Sequence, residues 1–313
     1  MQKGEQMLDG LLFFPVTPFT ENGEVDAGRL ADHIDDGILA GAGAVFVACG
    51  TGEFHAMDLR DFETTVRAAV EVTGGRVDVV AGVGGAQPFA KEFTRIAAGS
   101  GADGTLVLPP YLVNSPGRGL VRYVDSVVSA SPLPAVVYQR NNAVFDVESA
   151  RELAQLDQII GFKDGTGDLA AVAAIREAML DATDRKLRFF NGTPTAELNQ
   201  FAYRDIGVDL YSSAVFAFAP EIALAFFRAY TGRDEASAEL LLDRFYRPFA
   251  QLRDQVEGYA ISLIKAGLAI RGKNPGSVRA PLVDVSPDHI AQLHLLIDEG
   301  MRAVDEITLV GAL

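Results

Sequence analysis

Pro134-Ala135-Val136-Val137-Tyr138, a helical-period segment over Val147–Leu156, and Ile159-Ile160-Gly161-Phe162-Lys163 make one strand–helix–strand unit. Its strand runs are continuously apolar rather than alternating, the pattern of strands covered on the outside by helices. Toward the N-terminus the same unit recurs: Leu11–Val16, Ala44–Ala48, Val77–Ala81 and Thr105–Leu108 precede amphipathic stretches at Asp26–Ala40, Asp58–Thr73, Pro88–Ser100 and Gly119–Ala130. Toward the C-terminus, Ile159–Lys163 leads into Leu169–Leu180, Leu187–Phe190 into Thr195–Arg204, and Val208–Ser212 into Pro220–Tyr230. Eight strand–helix units before residue 232 predict an α/β fold, a (β/α)8 TIM barrel. Asp26, Asp58 and Asp168 stand where a side-chain acceptor caps a helix. Gly41-Ala42-Gly43, Gly74-Gly75 and Gly99-Ser100-Gly101 stand where helices end. After Gly232 the strands stop, and Glu235–Val256, Tyr259–Arg271 and His289–Val304 read as helical. The expected division is a barrel over 1–232 and a three-helix C-terminal extension over 233–313 packed on it.

The 313 residues are 49% hydrophobic and 22% charged, enough for a large core. The net charge is −15, with 27 basic residues thinly spread, so the clustered cations that neutralise nucleic-acid phosphates are missing. Cys49 is the only cysteine, which excludes an intrachain disulfide and suits a reducing compartment. Met1–Gly10 holds no apolar core of a secretory signal, and no run of membrane-spanning length occurs. A cytoplasmic protein without nucleic-acid or membrane partners is expected.

In a TIM barrel the chemistry sits at the C-terminal ends of the strands. Of the six lysines, only Lys163 ends an apolar strand. Burial there disfavours the ammonium form, as an amine nucleophile requires, but the same position also suits a lysine paired with Asp164. Tyr138 ends the preceding strand, roughly 5 Å away in a barrel, where a phenol can relay protons to Lys163 or simply fill the upper core. Gly50-Thr51-Gly52-Glu53 follows the second strand, and its glycines let backbone amides approach a carboxylate, though a tight turn needs the same residues. Asn191-Gly192-Thr193 and Ser212-Ser213 form similar polar rims after strands seven and eight. The four histidines show no metal-binding spacing, and His33, His289 and His294 are expected on helix surfaces. Gly82-Val83-Gly84-Gly85 lacks the full dinucleotide fingerprint, and Cys49 is expected to be a small buried filler.

These residues resemble the dihydrodipicolinate synthase / N-acetylneuraminate lyase superfamily of class I aldolase-type barrels. The resemblance spans nearly the whole chain: Phe14-Pro15-Val16-Thr17-Pro18-Phe19, Gly50-Thr51-Gly52-Glu53, the strand-five tyrosine, Gly161-Phe162-Lys163-Asp164 and the helical extension. Cys49–Phe54, Tyr138–Ala143, Tyr211–Phe216 and Val278-Arg279-Ala280-Pro281-Leu282 are most similar to a branch of decarboxylating dehydratases of deoxy-keto sugar diacids. The chain departs from the synthase pattern at three places. Gly50 replaces the first loop hydroxyl, Pro110-Tyr111-Leu112 carries leucine where an aromatic pair is usual, and Ala143 stands where the synthases have arginine.

The resemblance implies a lyase that dehydrates and decarboxylates a deoxy-keto-glucarate in the catabolism of glucarate or galactarate. Lys163 would form the Schiff base and Tyr138 relay protons, while Gly50, Thr51, Arg140, Asn191, Gly192, Thr193 and Ser213 bind substrate. The lysine imine supplies the electron sink, so no metal or organic cofactor is expected. The resemblance also implies a homotetramer built as a dimer of dimers, with a small sugar acid as substrate. The rival readings are a pyruvate-dependent lyase or synthase of the same superfamily, and a non-catalytic barrel that senses a sugar acid.

Overall fold

A computed structural model describes residues 8–110 and 112–311. Eight parallel strands close into a barrel in the order β1 to β8: Leu12–Phe13, Ala44–Val47, Asp78–Val83, Gly104–Val107, Ala135–Gln139, Ile159–Asp164, Arg188–Asn191 and Leu210–Ser213. Helices α1 to α8 follow them in turn: Ala27–Ala40, Leu59–Thr73, Gln87–Gly99, Gly117–Val128, Val147–Ala154, Leu169–Asp181, Gln200–Asp205 and Pro220–Gly232. This is the (β/α)8 barrel expected from the alternation. Asp26, Asp58 and Asp168 accept the amides of Arg29, Asp61 and Ala171, and Gly41 and Gly74 end α1 and α2 in the left-handed conformation.

The differences from the sequence expectations have local causes. The first strand shrinks to Leu12–Phe13 because Pro15 and Pro18 cannot donate to a ladder. The expected Thr195–Arg204 helix opens as a single 3₁₀ turn at Ala196–Leu198 and resumes at Gln200, since Asn199 turns its side chain back to the β7 loop. His33 is buried rather than exposed: Gly37 leaves room for the Phe13 ring, and His33 meets that ring edge-on at 5.2 Å. Burial lowers the His33 pKa to about 4.

Beyond the barrel lie α9 (Glu235–Leu241), α10 (Arg247–Arg253), α11 (Tyr259–Ile270) and α12 (Pro287–Gly311). A π-turn at Leu242–Tyr246 interrupts the single helix expected over Glu235–Val256. Pro248 lacks the N–H that would continue the α-helical ladder at that point. The extension and the barrel share one continuous buried core. Gly300 of α12 lies so close to Ile222 and Phe245 that a β-carbon would sit 2.5 Å from the former.

One irregularity positions the site. Ala135 pairs with Ile159, but Val136 pairs with Gly161, so β6 carries one extra residue at Ile160. In a parallel sheet paired residues share a face, and a one-residue slip exchanges the faces. The bulge brings Tyr138 opposite Lys163 instead of Phe162, and Lys163 in turn opposite Phe190.

Candidate active site

Lys163 reaches the barrel mouth with only 5% of its surface exposed. Its Nζ lies 4.0 Å from the Phe14 ring centre, 4.7 Å from that of Tyr138 and 5.7 Å from that of Phe190. Phe46 stacks on Phe14 at 4.5 Å, completing an aromatic floor under the amine. Among the described residues no carboxylate pairs with Lys163. The Asp164 alternative fails because successive strand residues face opposite sides. The Asp164 carboxylate accepts Gln139 Nε2 at 2.9 Å, the Thr166 hydroxyl at 2.7 Å, the Gly167 amide at 3.0 Å and the Tyr203 phenol. Desolvation therefore lowers the Lys163 pKa to about 7, and the Arg140 charge acts in the same direction. Near neutral pH a large fraction of the amine is free to attack a carbonyl.

The Tyr138 phenol donates to the Gly192 carbonyl at 2.9 Å, and Arg140 Nη1 approaches its oxygen at 3.5 Å. Burial raises the Tyr138 pKa, against the opposing Arg140 charge. Gly192 touches both catalytic candidates: a β-carbon there would lie 2.3 Å from Lys163 Cε. Arg140 is presented by a tight turn in which Arg140 and Ala143 exchange backbone hydrogen bonds and Asn141 adopts φ 52°. Asn142 ties this turn to the carbonyls of Pro110 and Val113. Arg140 is half-buried and forms no ion pair among the described residues, so a cation stands ready beside Tyr138. Tyr111, beside the Leu112 that marks a departure from the synthase pattern, lies outside the described residues.

The Gly50–Glu53 loop is bracketed by two non-glycine residues in the left-handed region, Ala48 at φ 50° and Glu53 at φ 61°. Its carbonyls are engaged internally: Cys49 accepts Phe54 N and Gly50 accepts Glu53 N, each at 3.1 Å, while Gly52 accepts the Thr17 hydroxyl at 2.8 Å. The amides of Gly50 and Thr51 donate to no acceptor among the described residues. The thiol of Cys49, adjoining the loop, is buried, and burial pushes its pKa up to about 12, so it stays protonated. Gly82 and Gly84 serve packing rather than phosphate binding. Added β-carbons would meet the Ala48 carbonyl at 2.4 Å and Leu108 at 2.8 Å.

Two expected binding side chains are spent on the scaffold. Asn191 is fully buried, donates to Ala196 O, Asn199 Oδ1 and Gln200 Oε1, and accepts both the amide and the hydroxyl of Thr193. Ser213 is fully buried and donates to Glu197 at 2.6 Å. Both shape the rim from behind, whereas Gly192 offers the carbonyl that meets Tyr138. The sequence reading missed Phe14 and Phe190 under the amine, the Gln139–Asp164 bridge and the buried Glu53–Lys265 ion pair. The residue after each candidate strand-end was a usable signal, since a polar side chain there must find partners behind the barrel wall. Among the described residues no three His, Cys, Asp or Glu side chains are grouped to hold a metal ion.

The profile of the Dihydrodipicolinate synthetase family matches residues 7–299. A Streptomyces avermitilis protein named Probable 5-dehydro-4-deoxyglucarate dehydratase 1 is 50% identical over 297 residues, which cover 95% of each chain. A Pseudomonas putida protein named 5-dehydro-4-deoxyglucarate dehydratase is 38% identical, over 92% of this chain and 94% of that one. The crystal structure of dihydrodipicolinate synthase from Oceanobacillus iheyensis superposes with a TM-score of 0.86 over 95% of this chain and 98% of its own. At 24% identity that likeness is one of fold.

Proposed function

The chain belongs to the dihydrodipicolinate synthetase family, and from that premise we propose that it is a 5-dehydro-4-deoxyglucarate dehydratase, a decarboxylating hydro-lyase that yields 2,5-dioxopentanoate. The observation that carries the chemistry is Lys163, a buried amine with no carboxylate partner among the described residues, set in register with Tyr138. Lys163 adds to the substrate ketone, and water leaves to give a protonated imine. The imine acidifies the adjacent methylene, whose proton departs to form an enamine. The enamine expels the neighbouring hydroxyl as water, leaving a carbon–carbon double bond conjugated with the imine. That conjugated imine accepts the electron pair released when the distal carboxylate leaves as carbon dioxide. Reprotonation and hydrolysis free the product and the amine. Tyr138 moves the protons. The imine is the electron sink throughout, so the steps as written call for no metal or organic cofactor.

The amides of Gly50 and Thr51, which donate to no acceptor among the described residues, suit the carboxylate beside the ketone, and Arg140 suits the distal one. Gly192 and Thr193 border the chain between them. A substrate with two carboxylates explains why Arg140 has no protein counter-ion among the described residues. Incubation with the deoxy-keto-glucarate must release carbon dioxide and the semialdehyde in equal amounts, and borohydride must then fix an adduct on Lys163. Pyruvate as the product instead would overturn this substrate assignment.

The same reading includes a homotetramer in the cytoplasm, within glucarate or galactarate catabolism. No helix among the described residues is long and apolar enough to cross a membrane. The adjacent Leu112 and Val113 are 102% and 56% exposed, apolar side chains that a second copy would cover. Sedimentation of the purified protein tests the assembly, and a monomer would refute it.

A further inference from the structure

We propose that the C-terminal extension positions the Gly50–Thr51 amides, acting through a clasp of Glu53, Lys265 and Arg279. The clasp rests on the reading that those amides hold the carboxylate beside the reacting ketone. Glu53 is fully buried, and Lys265, on α11, is 3% exposed. One Glu53 oxygen pairs with Lys265 Nζ at 2.7 Å, and the other accepts the Arg279 amide at 2.8 Å. Lys265 also donates to the Ser277 carbonyl at 3.0 Å, so one ammonium ties α11, the segment after it and the β2 loop together. The Arg279 guanidinium donates to the carbonyls of Ala56 and Gly23, pairs with Asp61 and lies 4.1 Å from the Phe19 ring centre.

Position and strain together point to a positioning role. Glu53 ends the loop whose Gly50 and Thr51 amides donate to no acceptor among the described residues, and its backbone sits at φ 61°, a left-handed region unfavourable to a residue with a β-carbon. Such a conformation persists where surrounding contacts over-determine it, and the contacts on Glu53 come from more than two hundred residues further along the chain. A glutamate needed only for a tight turn would face solvent. This one is fully buried and held by the extension, so losing the pair lets the loop relax and swings the Gly50 and Thr51 amides off the carboxylate. A displacement of about 1 Å at a binding group costs up to about a hundredfold in rate.

The test compares two carbonyl probes trapped on Lys163 by borohydride: pyruvate, and hydroxyacetone, which offers a ketone but no carboxylate. Lys265→Met should raise the half-saturating pyruvate concentration by about tenfold or more while changing hydroxyacetone trapping by less than about twofold. Lys265→Arg, which keeps the charge, should recover most of the pyruvate affinity. Glu53→Gln, nearly isosteric, serves as the second variant should Lys265→Met fold poorly, and the same split between probes is expected. Equal losses with both probes, or no loss with either, would overturn the proposal. An unsubstituted protein that traps neither probe would instead defeat the Schiff-base reading beneath it.

Discussion

At Lys163 the desolvation that favours the neutral amine also opposes folding. Its pKa is about 7 in the folded chain against 10.5 for an exposed lysine. Between these values the unfolded state binds more protons, so this residue's cost is full below pH 7 and fades as pH climbs toward 10.5. Lys163→Met should therefore abolish turnover and borohydride trapping while raising the thermal midpoint at pH 6, a gain that vanishes near pH 10.5. A calorimetric pH series checks this, and a lower midpoint at pH 6 would contradict it. The rate has a matching signature: kcat/KM should rise with pH through about 7 as the free amine forms. Arg140 repels the ammonium, so Arg140→Met should move that rise to higher pH and also raise KM.

Among the elements, β6 carries most of the arrangement. Its extra residue at Ile160 turns Lys163 to the face of Tyr138, and Asp164, facing the other way, fastens the strand end to Gln139 on β5, to its own following turn and to Tyr203 on α7. Removing this carboxylate leaves several buried donors unpaired. Asp164→Ala should destabilise the fold by about 3 kcal/mol or more, measured as a lower urea midpoint. Gly192 is the corresponding feature of β7. A β-carbon there meets the Lys163 stem at 2.3 Å, so Gly192→Ala should suppress imine trapping far more than it lowers the melting temperature.

Across the whole molecule, barrel and extension meet around Glu197, buried beside Ser213 and flanked by Tyr211 and Tyr246. Burial lifts its pKa from 4.5 to about 7. Between those values the folded state keeps a proton that the unfolded state releases, so stability falls as pH rises and the full cost is present above about pH 7. Glu197→Gln should match the parent protein near pH 4 and melt at a higher temperature at pH 8. The exposed loop ends carry the assembly-scale expectation: Leu112→Asp with Val113→Asp should shift a tetramer toward smaller species in sedimentation.

Period and length alone specified eight strand–helix units, because continuous apolar runs separated by amphipathic stretches can be buried only as a helix-covered parallel sheet. They also placed Lys163 and Tyr138 at strand ends, with Asp26, Asp58 and Asp168 capping the helices. Tertiary structure decided that Lys163 faces Tyr138 as an amine with no carboxylate partner among the described residues, since its facing depended on a bulge no propensity signals. It decided that Asn191 and Ser213 are engaged behind the rim, and that Lys265, unremarkable on an apolar helix, meets Glu53 in a buried ion pair. The physical reason is range. Periodicity and capping act within a turn or two of chain, whereas desolvation, ion pairing and the face a side chain presents are set by neighbours hundreds of residues away.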